Sequence, residues 1–342
     1  MTYLKSINEG KKPSKRRIKK AHWILLAKTV VTATILAFLL LRLDLSSSRD
    51  VLQGTVGYWL VFAFLMNALL LFTSAFKWGR LLQALGIFIP INLLLKLYTI
   101  GFFIGLFLPG VVGGDVVRCY LVGQDGGRRL KVVATIVAER ITGVASLVLM
   151  CLLALVWDSA RLATLPTVVL LGGISSALVG GIALSLNRRL ASGLMYRTRR
   201  HRIRFAMRPL YQLYRTLYDF PRKPLLAALG YSFIFYLEAG LTLFLICKAF
   251  GVQISFVEAT SVQVLICLLI LIPISLGGLG LTQAGDVYLL GILGVDVAHA
   301  LGISFVRLLM SYACGMIGGI LFIRWQRCQD ISDDVDLELS KP

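Results

Sequence analysis

The 342-residue chain is 57% hydrophobic and only 15% charged, which is typical of a polytopic membrane protein and excludes an ordinary soluble domain. Its formal charge of +19 comes from blocks of Lys and Arg beside apolar segments. Such blocks set membrane topology and attract anionic headgroups, and since no nucleic-acid motif accompanies them, no nucleic-acid partner is predicted. The six cysteines form no Cys-x-x-Cys pair and the three histidines are isolated, so neither a metal nor a cofactor is predicted.

The N-terminal region predicts a cytoplasmic tail followed by two spans. Residues 1–23 carry eight Lys/Arg and one acidic residue, which indicates a basic cytoplasmic tail without a cleavable signal. Segments 24–43 and 57–76 are each about 20 apolar residues long, enough to cross a bilayer. Lys77 and Trp78 are predicted to lie at the cytoplasmic headgroup level.

The third apolar segment, 93–108, runs into a sequence that breaks helices. That sequence is Leu108-Pro109-Gly110-Val111-Val112-Gly113-Gly114-Asp115-Val116-Val117-Arg118. Pro109 removes a backbone donor, and Gly113 and Gly114 allow backbone angles that other residues resist. Because basic residues flank both ends of 93–131, we expect this segment to enter the membrane from the cytoplasm and return to it.

Three further spans and a basic segment follow in order. Segment 132–157 is predicted to cross outward, 166–186 to return and 225–247 to cross outward again. Between them, residues 187–224 hold eleven Lys/Arg and one acidic residue, interleaved with apolar residues. This pattern predicts amphipathic helices on the inner membrane surface, serving either as a topological anchor that touches anionic lipid or as a partner site.

A second break resembles the first. Segment 259–272 meets Ile272-Pro273-Ile274-Ser275-Leu276-Gly277-Gly278-Leu279-Gly280. In both breaks the proline precedes the glycine pair by four residues. No Lys or Arg occurs between 274 and 300, so this dip should open outward. Segment 298–323 then returns to the cytoplasm, and residues 324–342 form an acidic cytoplasmic tail, of which we expect residues 329–342 to be disordered.

The two halves therefore share one order of elements. Residues 24–157, with a break near 109–115, and residues 166–323, with a break near 273–283, each give two spans, a dip and a span. Because each half has three full spans, the second half starts on the opposite side of the membrane from the first. The predicted fold is an all-α polytopic membrane protein, an inverted repeat with six spanning helices and two re-entrant broken-helix hairpins. The alternative is two independent proline kinks in an ordinary helix bundle.

Four charged residues lie about two turns or more inside apolar segments, where a charge costs roughly 2.5 kcal/mol or more and usually faces a cavity or a partner. They are Glu139, Arg140, Glu238 and Arg307. Arg140 and Arg307 could hold a phosphate, because the guanidinium fork matches phosphate oxygens. The alternative is structural: the two arginines pair with Glu139, Glu238 or Asp115 and lock the bundle.

The residues after the breaks complete the candidate site. Asp115 could pair with Arg118 three residues later, cap the following helix, or bind a ligand or proton. Gln283 and Asp286 hold the corresponding place after the second break. The predicted substrate-binding residues are Arg140, Arg307, Glu139, Asp115, Arg118, Gly113, Gly114, Gly277, Gly278, Gln283 and Glu238. The chain carries neither a Walker lysine motif nor a dinucleotide fingerprint, so no catalytic residue and no ATPase are predicted.

These motifs resemble the flippase-like membrane domain of lysylphosphatidylglycerol synthases. The resemblance rests on the first break, on Glu139-Arg140, on the second break and on Lys77-Trp78-Gly79-Arg80-Leu81-Leu82, and it extends over most of residues 24–323. It implies re-entrant helices lining a central cavity and a stand-alone member without an aminoacyl-transferase domain. The family pattern has an acidic residue shortly after Gly-Leu-Gly, where this chain has Thr282-Gln283.

Together, the residues and the resemblance predict a lipid transporter or flippase without its own ATPase, and not an enzyme. It would lie in the cell inner (plasma) membrane with both termini cytoplasmic. Its partners would be membrane lipids with anionic or phosphate-bearing headgroups, and a second copy or an envelope-lipid enzyme. One alternative is a non-transporting accessory or scaffold subunit whose partner binds residues 187–224; another is a membrane enzyme that uses a lipid-linked donor.

Overall fold

The computed structural model describes residues 56–107, 113–123, 126–157, 211–271 and 278–339. These residues form nine helices and no strand, so the all-α prediction is confirmed for them. The helices are α1 (Gly57–Ala84), α2 (Ile91–Phe107), α3 (Gly113–Val122), α4 (Gly126–Trp157), α5 (211–218), α6 (Arg222–Ala249), α7 (Phe256–Ile270), α8 (Leu281–Ile292) and α9 (Val297–Leu339).

Four of these helices are long and apolar enough to cross a membrane. The qualifying stretches are Gly57–Ala84, Arg128–Ala154, Arg222–Ala249 and Val297–Arg324. Each contains most or all of one predicted span. Two helices are shorter and apolar, Ile91–Leu106 in α2 and Phe256–Ile270 in α7. At 1.5 Å per residue they are too short to cross a hydrocarbon core of about 30 Å.

Several predictions fall outside the described residues. These are the tail 1–23, the spans 24–43 and 166–186, most of the basic segment 187–224, both break prolines (Pro109 and Pro273) and Gly277.

The fold is organised around α1 and α6, which pack together more extensively than any other described pair. They run antiparallel. At one end the Val56 amide donates to the Ala249 carbonyl oxygen over 3.0 Å, and towards the other end the Lys77 ammonium donates to Ser232 Oγ over 2.9 Å. Fully buried apolar side chains on α6 and α7, such as Leu243, Ile246 and Leu268, form the core beside this pair.

The short apolar helices pack against the opposite half of the chain. Helix α2 contacts α9, and helix α7 contacts α4. Each also contacts the short helix that follows it, α2 with α3 and α7 with α8. Gly114 allows the close contact between α2 and α3, because a Cβ at this position would overlap the Gly101 carbonyl oxygen. The residues that follow each break are thereby brought back beside the helix that precedes it.

Lys77 and Trp78 are buried inside the bundle, where they face α4 and α6. Their position at the headgroup level stays a prediction. The expectation that the acidic tail is disordered is wrong for the described residues, because they are helical as far as Leu339. No glycine or proline interrupts the sequence between Gly319 and Pro342, so nothing in its local preferences ends α9 earlier.

Candidate ligand-binding cavity

A cavity of about 480 Å³ lies between the two halves of the described chain. Its volume is within the range of small-molecule sites. All of the helices except α5 contribute to its wall, which is mostly apolar with a few polar side chains. Residues that follow both breaks, Gly114 and Gly278, line it together with Arg140 and Arg307. The two arginines singled out from the sequence therefore border one space.

The first charged cluster joins α3 to α4. The Arg118 guanidinium bridges two carboxylates: it donates to Asp115 Oδ1 and, over 3.0 Å, to Glu139 Oε2. Arg140 binds the other Asp115 oxygen, donating to Oδ2 from Nε over 3.0 Å and from Nη2 over 2.7 Å. One of the three alternatives for Asp115, the i, i+3 pair with Arg118, is present. One of the structural alternatives, an Arg140–Asp115 pair, is also present.

Arg118 is held on every side. Its guanidinium carbon lies 4.8 Å from the Trp78 ring centroid and 4.4 Å from that of Tyr98, which are cation–π distances. The Tyr98 hydroxyl donates to Glu139 Oε1 over 3.1 Å, so the same ring also fixes the carboxylate that Arg118 binds. With only 4% of its side chain exposed, Arg118 acts as a structural anchor of the first cluster.

Arg140 differs because half of its side chain, 50%, remains exposed. It borders the cavity while Asp115 holds its guanidinium. Three cations, Lys77, Arg118 and Arg140, surround two carboxylates, Asp115 and Glu139, and Lys77 Nζ lies 3.3 Å from the Glu139 carbonyl oxygen. The local formal charge is thus +1, which favours an anion at the exposed side of Arg140.

The second cluster joins α7, α8 and α9. Arg307 donates to Gln263 Oε1 over 2.7 Å, and its Nη1 lies 3.2 Å from Asp286 Oδ1. Asp286 is fully buried, and Ser304 donates to its Oδ2 over 2.8 Å. Its Oδ1 accepts no hydrogen bond from the described residues, so the contact with Arg307 is an ion pair without hydrogen-bond geometry. The Arg307 side chain is 14% exposed.

Gln283 orders the start of α8. Its Oε1 accepts a hydrogen bond from the Gly280 amide over 2.7 Å. Gly280 has φ +78°, a left-handed conformation that favours glycine. Gln283 is buried and also lines the cavity. In this chain the residue standing where the family pattern has an acid therefore fixes the backbone at the cavity wall.

The predicted site residues separate into two groups. Seven line the cavity: Asp115, Arg118, Arg140, Arg307, Gly114, Gly278 and Gln283. Gly113, Glu139 and Glu238 do not. Gly113 begins α3, Glu139 lies behind Arg118, and Glu238 accepts a hydrogen bond from Thr73 over 2.9 Å at the contact between α1 and α6. The expectation that Arg307 would pair with Glu139, Glu238 or Asp115 is wrong, because its partner is Asp286.

Three polar residues that bind the charged clusters, Tyr98, Gln263 and Ser304, were not selected from the sequence. They are neutral, so no charge in an apolar segment pointed to them. Asp286 was noted after the second break but not included among the predicted substrate-binding residues, although a carboxylate within an apolar segment needs a buried partner. In the described part of the chain, no group of three or more His, Cys, Asp or Glu residues could hold a metal ion.

The family model of the lysylphosphatidylglycerol synthase TM region matches residues 25–319. The chain belongs to this family. The resemblance inferred from the break motifs is thereby confirmed. The chain is also 24% identical over 322 residues to the UPF0104 membrane protein PH1989 of Pyrococcus horikoshii, an alignment that covers 86% of this chain and 95% of the relative. No solved structure matches the chain. Family and apolar helices agree that this is a membrane protein.

Proposed function

We propose that the protein moves a phospholipid or lipid-linked molecule across the inner membrane by holding its phosphate-bearing headgroup in the central cavity. One observation carries the proposal: Arg140 and Arg307, from the two halves of the chain, border the same cavity of about 480 Å³. Arginine is the side chain best matched to phosphate oxygens. Arg140, half exposed beside a carboxylate, is the residue positioned to exchange Asp115 for a headgroup phosphate.

The topology that we propose is an inverted repeat of residues 24–157 and 166–323, with six spans, two re-entrant hairpins and both termini in the cytoplasm. The packing supports it. In this repeat α1 corresponds to α6, α2 to α7 and α4 to α9. Exchanging the halves therefore maps the α2–α9 contact onto the α7–α4 contact, and both contacts are present. The same exchange maps the α1–α6 contact onto itself. Such repeats place transport sites near the bilayer midplane.

Native mass spectrometry with lipid identification tests the proposal. We expect a lipid with a phosphate-bearing headgroup on the wild-type protein after mild extraction. The amount bound should fall at least about tenfold in the Arg140→Ala and Arg307→Ala double variant, since a hydrogen bond to a charged group contributes about 1.5–3 kcal/mol. The Arg80→Ala variant is the matched control, because Arg80 is exposed and stacks on Phe76, away from the cavity.

The single variant Arg140→Ala separates a loss of lipid binding from a loss of folding. Removing Arg307 leaves Asp286 buried without its cation, whereas removing Arg140 leaves Asp115 paired with Arg118. A folded Arg140→Ala protein that retains the wild-type lipid would contradict the proposal. So would a wild-type protein that carries only lipids without phosphate.

A further inference from the structure

Glu238 is a carboxylate inside the membrane helices that the cavity does not use. It lies near the middle of α6 and points towards α1, where Thr73 donates to its Oε1 over 2.9 Å. Its Oε2 is buried and accepts no hydrogen bond from any described residue. The carboxyl group therefore has one neutral partner and one unsatisfied buried oxygen.

Two cations on the helices that pack against α6, Lys77 and Arg140, have partners other than Glu238. Lys77 on α1 donates to Ser232 Oγ, six residues before Glu238 and hence about 9 Å along the helix. On α4, Arg140 binds Asp115, next to Glu139, which binds Arg118.

Two further charged groups on these helices also have other partners. On α9, Arg307 binds Gln263 and Asp286. Glu258 on α7 accepts from the Ser255 amide in a capping box. None of these groups forms an ion pair with Glu238 in the described part of the chain.

The surroundings favour the neutral form of this side chain. An ionised carboxylate that is partly buried between helices without a cation costs more than a protonated one, which can also donate a hydrogen bond. Carboxyl groups in this situation form the proton relays of membrane pumps and transporters. The Thr73 hydroxyl, which can donate or accept, serves either state.

We propose that Glu238 is a proton-binding site and that its protonation couples lipid movement to a pH gradient across the membrane. This inference rests on the proposed function and supplies its energy source. In each cycle one O–H bond of the carboxylic acid breaks, and the proton passes to water on the side to which the cavity is open. The carboxylate takes up a proton from the other side, so one proton crosses per lipid and no oxidant or second reactant is needed.

Glu238 is placed to influence the cavity. Ser74 on α1 and Ala239 on α6, the chain neighbours of Thr73 and Glu238, both line it. A negative charge between α1 and α6 would weaken their packing until water or a cation reached it. The protonation state would thus set whether this wall is closed or loosened.

Infrared difference spectroscopy tests the proton site directly. Wild-type protein in vesicles at neutral pH should show the carbonyl band of a protonated carboxylic acid. The band should be missing in Glu238→Gln, which keeps the Thr73 hydrogen bond. It should remain in the control Glu258→Gln, since glutamine also suits a capping box. An equal band in Glu238→Gln, or no band in the wild type, would overturn the proton site.

A transport measurement tests the coupling. The probe is acyl-labelled phosphatidylglycerol in vesicles with a pH difference of one unit. If one proton is coupled to each lipid, the label should become up to about tenfold more abundant in one leaflet than in the other. In the Glu238→Gln variant the two leaflets should hold equal amounts of label. A wild-type ratio of unity would overturn the coupling and leave the proposed function standing. No movement of lipid by the wild type would overturn both, while the infrared band would still decide the proton site.

Discussion

The two charged clusters at the cavity use their arginines differently. In the first, Arg118 is fixed between two aromatic rings and two carboxylates, which leaves Arg140 half exposed beside Asp115. In the second, the single arginine, Arg307, is 14% exposed and is held by one carboxylate and one amide. Because Arg118 carries the structural role in the first cluster, Arg140 can exchange Asp115 for a ligand without loss of the anchor. Arg140 should therefore dominate ligand binding, and Arg307 should combine binding with support of the fold.

The largest expected effect is on the structural anchor of the first cluster. Arg118→Leu leaves Glu139 without a cation and Asp115 with only Arg140, so we expect a loss of about 3–5 kcal/mol in the free energy of unfolding. Thermal unfolding in detergent, followed by helical circular dichroism, measures it. An unchanged melting temperature would show that Arg118 does not anchor the cluster; Arg80→Ala is the control.

The corresponding change in the second cluster is Asp286→Ala. It removes the carboxylate partner of Arg307 among the described residues, but Gln263 still accepts from the guanidinium, so a loss of about 3 kcal/mol is expected, at the lower end for a broken buried pair. The same melting experiment applies. A loss larger than that of Arg118→Leu would reverse the ranking of the two clusters.

The third change separates charge from geometry. Arg140→Lys keeps the charge but not the planar fork, and its side chain is half exposed. We expect stability to change by less than about 1 kcal/mol, as for an exposed ion pair, and bound phosphate-bearing lipid to fall about tenfold. Arg307→Lys should lower both lipid and stability. Equal lipid occupancy in wild type and Arg140→Lys would mean that the planar fork of Arg140 does not contribute to recognition.

The smallest effect is expected at the start of α8. Gln283→Ala removes the side-chain bond to the Gly280 amide, which should cost about 1 kcal/mol, as for a lost helix cap. Gln283→Glu can still accept that bond and should keep wild-type stability. If Gln283→Glu were as unstable as Gln283→Ala, the hydrogen bond would not explain the role of this residue.

How far the sequence could predict this site depended on the kind of signal. Arg140 and Arg307 were found because charge in an apolar segment demands a cavity or a partner. The i, i+3 spacing also offered the Asp115–Arg118 pair as one of three alternatives. The pairing of Arg307 with Asp286 was missed because the two lie 21 residues apart and meet only when α8 packs on α9. The contact of Trp78 with Arg118 was missed because residue type alone does not show it and it exists only in the folded bundle.

A cryo-electron microscopy map of the protein in phospholipid nanodiscs tests the central claim most directly. The account predicts headgroup density inside the cavity, with a phosphate in contact with the Arg140 guanidinium and on the side that faces Arg307. A cavity that holds only acyl chains, with Arg140 still bound to Asp115 and all phosphates at the bilayer surfaces, would contradict it.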